Sequence, residues 1–534
     1  MAEYDYIIAG GGTAGCILAN RLTENGKYRV LLLEAGQEAR SMWISIPAGF
    51  SKLLVDPNFN WRFKTEPEDN VHGRVISVPR GKGLGGSTLI NGMIYVRGIP
   101  EDYDGWEAAG ATGWGYANVE PVFRQIEHYE AGDVSRGKHG PMWLEAVAER
   151  YAISDAFLRA AMEDGQPLNP DYNSGQAQEG FGYYQVVQRG GERWSVVEGY
   201  LQPAKGRPNL SVISGATVTR LVLEGKRCTG VVYRHQGQEH RVQAGRETVL
   251  AMGAIQSPQM LELSGIGNPE LLQRLGITPV LALPQVGENY REHFATRMNW
   301  RVKNTVTLNE MSRGWRLAAE VAKYYTRHKG ILTLGTGLVH GFVKSSPELP
   351  LADVQYFYVH ASYANAAERI LDRKPGMTLG VAQLRPESVG SIHIQSADPQ
   401  QQPAIRPNLL SAQVDRDSLI GGMRVARRIV QQPAMQHYVE SELSPGEQVQ
   451  SDEEWLDFAR HNGQTIYHPI GTCRMGADAA AVTDPRLRVR GVQGLRVIDA
   501  SVMPRMVSGN TQAAVMMVAE RGAALMLEDA VQAA

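Results

Sequence analysis

Apolar residues in this chain come in short runs that end in glycine or in a single acid. Tyr4-Asp5-Tyr6-Ile7-Ile8-Ala9 runs straight into Gly10-Gly11-Gly12-Thr13-Ala14-Gly15. A helix-length amphipathic stretch follows, then Val30-Leu31-Leu32-Leu33 closed by Glu34 and Ala35. The pattern predicts strand, glycine turn, helix and strand, the layout a dinucleotide pyrophosphate requires. Gly10 allows the tight turn, Gly12 leaves the backbone open to phosphates, and Gly15 lets the helix pack closely on the strand. Thr13 and Ala14 begin the helix, whose free N–H groups and partial positive charge favour an anion. Glu34 stands about 20 residues beyond the last glycine, where a carboxylate accepts from ribose hydroxyls. The motif does not separate FAD from NAD, because both present the same AMP half.

Further along, Asn209–Ile213, Val218–Leu223, Gly230–Tyr233 and Glu247–Ala254 read as strands, and a helix is expected from Ser257 and Pro258 to Gly265. Asp353–Tyr358 and Gly390–Ser396 alternate without a crossover helix between each pair, which predicts an antiparallel sheet and a second domain. Leu495–Ala500 reads as a short buried strand and Thr511–Leu527 as a helix rich in Ala and Met. Pro79 to Gly92 is too dense in glycine for a helix and suits close approach to a flat or anionic ligand. Residues 37–78 carry Pro47, Pro57 and Pro67 with Trp43, Trp61 and Phe63, and read as a surface excursion, a candidate lid.

At 534 residues the chain exceeds one ordinary core. Its formal net charge of −2 gives no electrostatic case for nucleic acid. No apolar run approaches the roughly 18 residues that span a bilayer. The first strand begins at Tyr4, so no secretory leader is expected ahead of it and a cytoplasmic location is. Peripheral membrane contact through Trp43–Val55 is the alternative to a lid there. Cys16, Cys228 and Cys473 form no CxxC pair, and the histidines show no HExxH spacing, so neither disulfide nor metal is expected. Cys473 reads as a packing residue, and Asp452-Glu453-Glu454 as the acidic start of a solvated helix.

Three blocks resemble the glucose–methanol–choline (GMC) oxidoreductases. They are Gly81 to Asp104, with Lys82, Leu84, Gly85-Gly86, Ser87-Thr88, Ile90, Asn91, Tyr95 and Gly98; Gly253 to Gly267; and His468 to Gly476 with Gly494–Pro504 and Ser508–Thr511. The resemblance covers essentially the whole chain and is nearest to the choline-dehydrogenase-like and alcohol-dehydrogenase-like bacterial branch.

The resemblance implies an α/β fold: a Rossmann-type FAD-binding domain with a second, α+β substrate domain on an antiparallel sheet. The expected division is 1–150, 205–295 and 465–534 for FAD, and 151–204 with 296–464 for substrate. It also implies FAD rather than NAD, held by Gly10, Gly12, Gly15 and Glu34 at the ADP half. Val218 would meet the adenine through its backbone. Arg80, Gly81, Gly85, Gly86, Ser87, Asn91, Gly92 and Met93 would follow the pyrophosphate and flavin edge. Asp499, with Ala500, Asn510 and Thr511, would reach the ribityl or pyrophosphate region. Some relatives bond a histidine at the Asn91 position to the flavin; asparagine has no nucleophilic ring nitrogen, so a dissociable FAD is expected.

His468 is the expected catalytic base, since removing a hydroxyl proton calls for a group with a pKa near working pH. Asn510 would donate to the substrate oxygen as charge develops there, and its alternative reading is a helix cap. Tyr467, Met93, Trp61 and Phe63 would line the substrate space, and His293 reads as structural. The activity implied is oxidation of a primary alcohol to an aldehyde, with a quinone as electron acceptor, or dioxygen for an oxidase acting on aromatic or heteroaromatic alcohols. The sequence names neither the alcohol nor the oligomeric state.

Overall fold

The computed structural model describes residues 3–365 and 370–532. Two seven-stranded sheets organise it. In the first, Tyr4–Ala9 pairs in parallel with Val30–Glu34 on one side and with the far half of Gln238–Leu250 on the other. Leu210–Ser214 extends the parallel sheet beyond Val30–Glu34, and Leu495–Val497 extends it beyond Thr248–Leu250. Tyr4–Ala9 and Val30–Glu34, at its centre, are largely buried, as a sheet covered on both faces requires. The near half of Gln238–Leu250 leaves this layer and pairs antiparallel with Arg227–His235, which pairs in turn with Thr217–Glu224.

The second sheet is antiparallel, in the order Val439–Ser444, Phe294–Val302, Gly376–Gln383, Val354–Val359, Val339–Val343, Gly180–Tyr183. Gln464–Thr465 adds to the edge of Phe294–Val302 and leads directly to His468. Asp353–Tyr358 therefore finds the antiparallel sheet its alternation predicts. Gly390–Ser396 does not join it. Ser391–His393 forms a separate ribbon with Ala404–Arg406, because His393 is drawn to Glu262 on the Gly253–Leu263 helix, Nδ1 to Oε1 2.7 Å.

That helix starts earlier than Ser257. Gly253 takes φ +82° and its N–H donates to Asp499, so the turn forms ahead of the proline. Pro258 then lies inside the helix without an N–H for the carbonyl of Ala254. The Thr472 hydroxyl supplies the missing donor at 2.6 Å. The Gln512–Gln532 helix packs on Thr13–Thr23 and covers it. Among the described residues no helix is long and apolar enough to cross a membrane.

Candidate active site

A cavity of about 590 Å³ runs between the glycine turns of the first sheet and the face of the second. Its lining includes Gly10, Gly12, Thr13, Ala14, Glu34, Ala35 and Val218, then Arg80, Gly81, Gly86, Ser87, Asn91, Gly92 and Met93, then His468, Asp499, Ala500, Asn510 and Thr511. Residues up to 500 apart in sequence thus share one wall. Gly15 and Gly85 stand behind it. A Cβ on Gly15 would lie 1.9 Å from the Gly10 carbonyl oxygen, so strand and helix touch through hydrogen alone. The Gly85 N–H donates to Gly11 O at 2.8 Å and ties the second glycine loop to the first.

These residues fit a dinucleotide. The first turn of Thr13–Thr23 opens into the cavity beside Gly10 and Gly12, and Gly86 approaches Gly12 so closely that a Cβ would sit 2.7 Å from its Cα. Glu34 is buried and accepts from the N–H groups of Gly36 (2.7 Å), Gly11 (2.8 Å) and Gly83 (3.1 Å). Burial pushes its carboxyl pKa up against the pull of those amides. The Asp499 carboxylate is saturated: Gly253 N and Ser257 Oγ donate to one oxygen, Ser501 N and Oγ to the other. It fastens the 253–263 helix to the following turn from its place in the cavity lining.

Asn91 is fixed from both sides. Arg193 Nη1 donates to its Oδ1 at 2.7 Å, and its own Nδ2 donates to Gln512 at 2.6 Å. Arg193 is fully buried with carbonyl and amide oxygens as acceptors, and burial lowers its pKa to about 9. Met93 and Tyr467 both line the cavity with left-handed backbone, φ +62° and +72°. Such strain in bulky residues persists where surrounding structure over-determines it. Trp61 and Phe63 stack at 6.0 Å in the same wall, joined by Phe50 and Leu54 from residues 37–78.

The His468 ring lies at the other end. Its Nε2 faces Asn510 Nδ2 at 3.3 Å and its Nδ1 faces His293 Nδ1 at 2.9 Å. His293 Nε2 meets the carbonyl of Leu384 at 3.0 Å. A carbonyl only accepts, so His293 carries its proton on Nε2 and its Nδ1 is bare. The proton between the rings therefore belongs to His468 Nδ1, which leaves His468 Nε2 as a lone pair aimed into the cavity. Burial, then His293 and Arg80, hold the His468 pKa well below its ordinary 6.5. Burial likewise lowers His293 to about 4, against its bond to Leu384. Both rings are neutral at pH 7.

Three neighbours complete the group. Glu292 Oε1 accepts from the backbone N–H of His468 (2.6 Å) and of His293 (3.0 Å), and burial raises its pKa to about 8. Arg80 donates to the carbonyl of Tyr467. Gln355 Nε2 donates to Asn510 Oδ1 at 3.1 Å, which turns the Asn510 amide nitrogen toward His468. Sequence reasoning missed Glu292 and Gln355 and took His293 as structural.

The family models settle the wider relationship. The N-terminal GMC oxidoreductase model matches residues 4–295 and the C-terminal one residues 386–519. The chain belongs to the GMC oxidoreductase family. It is therefore an oxidoreductase. It is 39% identical to an alcohol dehydrogenase [acceptor] of Pseudomonas putida, over 98% of this chain and 96% of that one. It is 40% identical to mitochondrial choline dehydrogenase of Homo sapiens, over 98% and 89%. The crystal structure of pyridoxine 4-oxidase from "Mesorbium loti" superposes on the GMC oxidoreductase with a TM-score of 0.89 at 29% identity, covering 98% of this chain and 99% of that one.

Proposed function

We propose that this chain holds FAD non-covalently and oxidises a primary alcohol to an aldehyde, with His468 as base and a quinone-like molecule as final electron acceptor. The observation that carries the reading is the bare Nε2 of His468, facing the Asn510 amide inside the same cavity as the glycine turns. Bound FAD supplies the two-electron acceptor for the hydride leaving the carbinol carbon. His468 Nε2 takes the hydroxyl proton, and the resulting imidazolium keeps its Nδ1 proton directed at His293. Asn510 Nδ2 donates to the substrate oxygen as it gains negative charge, and stays neutral throughout. Burial, then His293 and Arg80, keep His468 unprotonated and ready at neutral pH.

In this reading residues 1–150, 205–295 and 465–534 form the FAD-binding domain, residues 151–204 and 296–464 the substrate domain, and 37–78 a lid. Phe357, Val359 and Ile466 give the substrate end an apolar wall. A second reading, an oxidase that reduces dioxygen to hydrogen peroxide on aromatic or heteroaromatic alcohols, draws support from the likeness to pyridoxine 4-oxidase.

The test is His468→Ala. The variant should retain yellow FAD, while alcohol bleaches it some 10²–10⁴-fold more slowly in a single turnover. Unchanged bleaching removes His468 from the reaction. Peroxide release measured against quinone reduction separates the two acceptors. FAD released into the supernatant on denaturation supports dissociable binding, and flavin that stays with the precipitated chain refutes it.

A further inference from the structure

The helix Gly314–Arg327 packs Val321 and Tyr324 on the body of the molecule and turns a second apolar side to solvent. Arg316, Glu320 and Lys323 form a partly exposed flank between the two. Arg316 approaches Glu310 at 3.7 Å, Glu320 accepts from Ile331 N at 2.9 Å, and Lys323 pairs with Glu149 at 3.1 Å. At 3.6 residues per turn, Trp315, Ala318, Ala319, Ala322 and Tyr325 share the opposite side. That side is open: Trp315 is 77% exposed and Tyr325 57%. Thr326 lies among them, and the Arg316 guanidinium stands 5.7 Å from the centre of the Trp315 ring. The only buried residue of the helix is Tyr324.

The rim is basic. Between residues 313 and 329 there are five Lys or Arg and one acid, Glu320, in a chain whose net charge is −2. Arg313, Arg327 and Lys329 are exposed at the helix ends. An aromatic face bordered by cations is what a helix lying in a headgroup layer presents. The surroundings extend it. The helix leads into Ile331–Thr333, which packs on Pro47–Gly49. The adjoining short helices expose Met42 and Trp43 and place Phe50 and Leu54 in the cavity wall.

We propose that the outward face of the 314–327 helix docks the protein on anionic phospholipid bilayers. Trp315 and Tyr325 enter the headgroup region, and Arg313, Arg327 and Lys329 pair with lipid phosphates. A bilayer held there lies against the side of the molecule whose inner surface is the cavity wall, which suits an oxidant or an alcohol dissolved in lipid. The docking itself does not rest on the catalytic reading, because binding is measured without turnover.

The experiment is co-sedimentation of the holoenzyme with phosphatidylglycerol–phosphatidylcholine vesicles and with phosphatidylcholine alone. Binding to the anionic vesicles, weakened by salt, is expected. The double variant Trp315→Glu, Tyr325→Glu should lose it by about tenfold or more and keep its activity with a soluble dye. Absence of wild-type binding, or equal binding by the variant, overturns the proposal. So does light scattering that shows a wild-type dimer converted to monomer by the variant, since a second copy would then cover the face.

Discussion

The rings of His293 and His468 face each other Nδ1 to Nδ1 at 2.9 Å, and one proton serves both. Because Leu384 claims the far nitrogen of His293, that proton sits on His468 and its reactive nitrogen stays bare. His293→Phe keeps the shape and removes the acceptor. The bond strengthens as His468 gains charge, so its loss should fall on kcat, by roughly 1.5–3 kcal/mol or a factor of ten to a hundred, with little change in KM. Steady-state kinetics across pH, beside a melting curve, check this. An equal loss of stability and KM with kcat intact would make His293 a packing residue only.

Asn510→Asp preserves size and the bond from Gln355, yet exchanges a donor for a negative charge beside the developing alkoxide. Turnover should fall by about 10²–10³-fold, while FAD content is unchanged. Flavin absorbance and kcat measured on one preparation decide it.

Two glycines of one turn should behave differently. At Gly15 a Cβ meets the Gly10 carbonyl at 1.9 Å, so Gly15→Ala should destabilise the fold itself by about 1–3 kcal/mol or more. At Gly12 the nearest atom is Gly86 Cα at 3.9 Å, so Gly12→Ala should change the unfolding free energy of the apoprotein in urea by no more than about 0.5 kcal/mol. Its effect should appear in FAD retention instead. Equal urea midpoints for the two variants would contradict this division.

His393 lies between Glu262 (2.7 Å) and Glu288 (3.0 Å). Burial opposes its charge, but the bonds to the two acids outweigh that and raise its pKa from 6.5 to about 9. The stabilisation is therefore complete below pH 6.5 and fades as pH climbs to 9, by at most about 3 kcal/mol. Urea midpoints at pH 6 and pH 9 should diverge in the wild type and converge in His393→Asn.

What could be read in the sequence was whatever lies within one stretch of chain. The turn at Gly10–Gly15 and the acid at Glu34 are local, and the spacing alone places them at one cavity. His468 and Asn510 were found through blocks resembling a known family. Glu292 and His293 were not, because they reach His468 through an antiparallel bridge between Arg291 and Ile470, a pairing no local pattern records. Gln355 looked like an ordinary strand residue for the same reason. The alternation of Gly390–Ser396 correctly signals a strand, yet its partner is chosen by the distant Glu262. The four protein donors through which Asp499 joins two segments were not legible in the sequence either.

The strand Leu495–Val497 and the helix Gln512–Gln532 have a consequence for biosynthesis. One completes the parallel sheet beside Thr248–Leu250, and the other covers the Thr13–Thr23 helix whose first turn opens on the cavity. A nascent chain still missing these pieces has the glycine loop but neither its backing nor the residues at 468 and 510. Prosthetic-group capture then waits until these two elements have folded into place, and chains terminated before them would accumulate as inert apoprotein rather than as weakened enzyme.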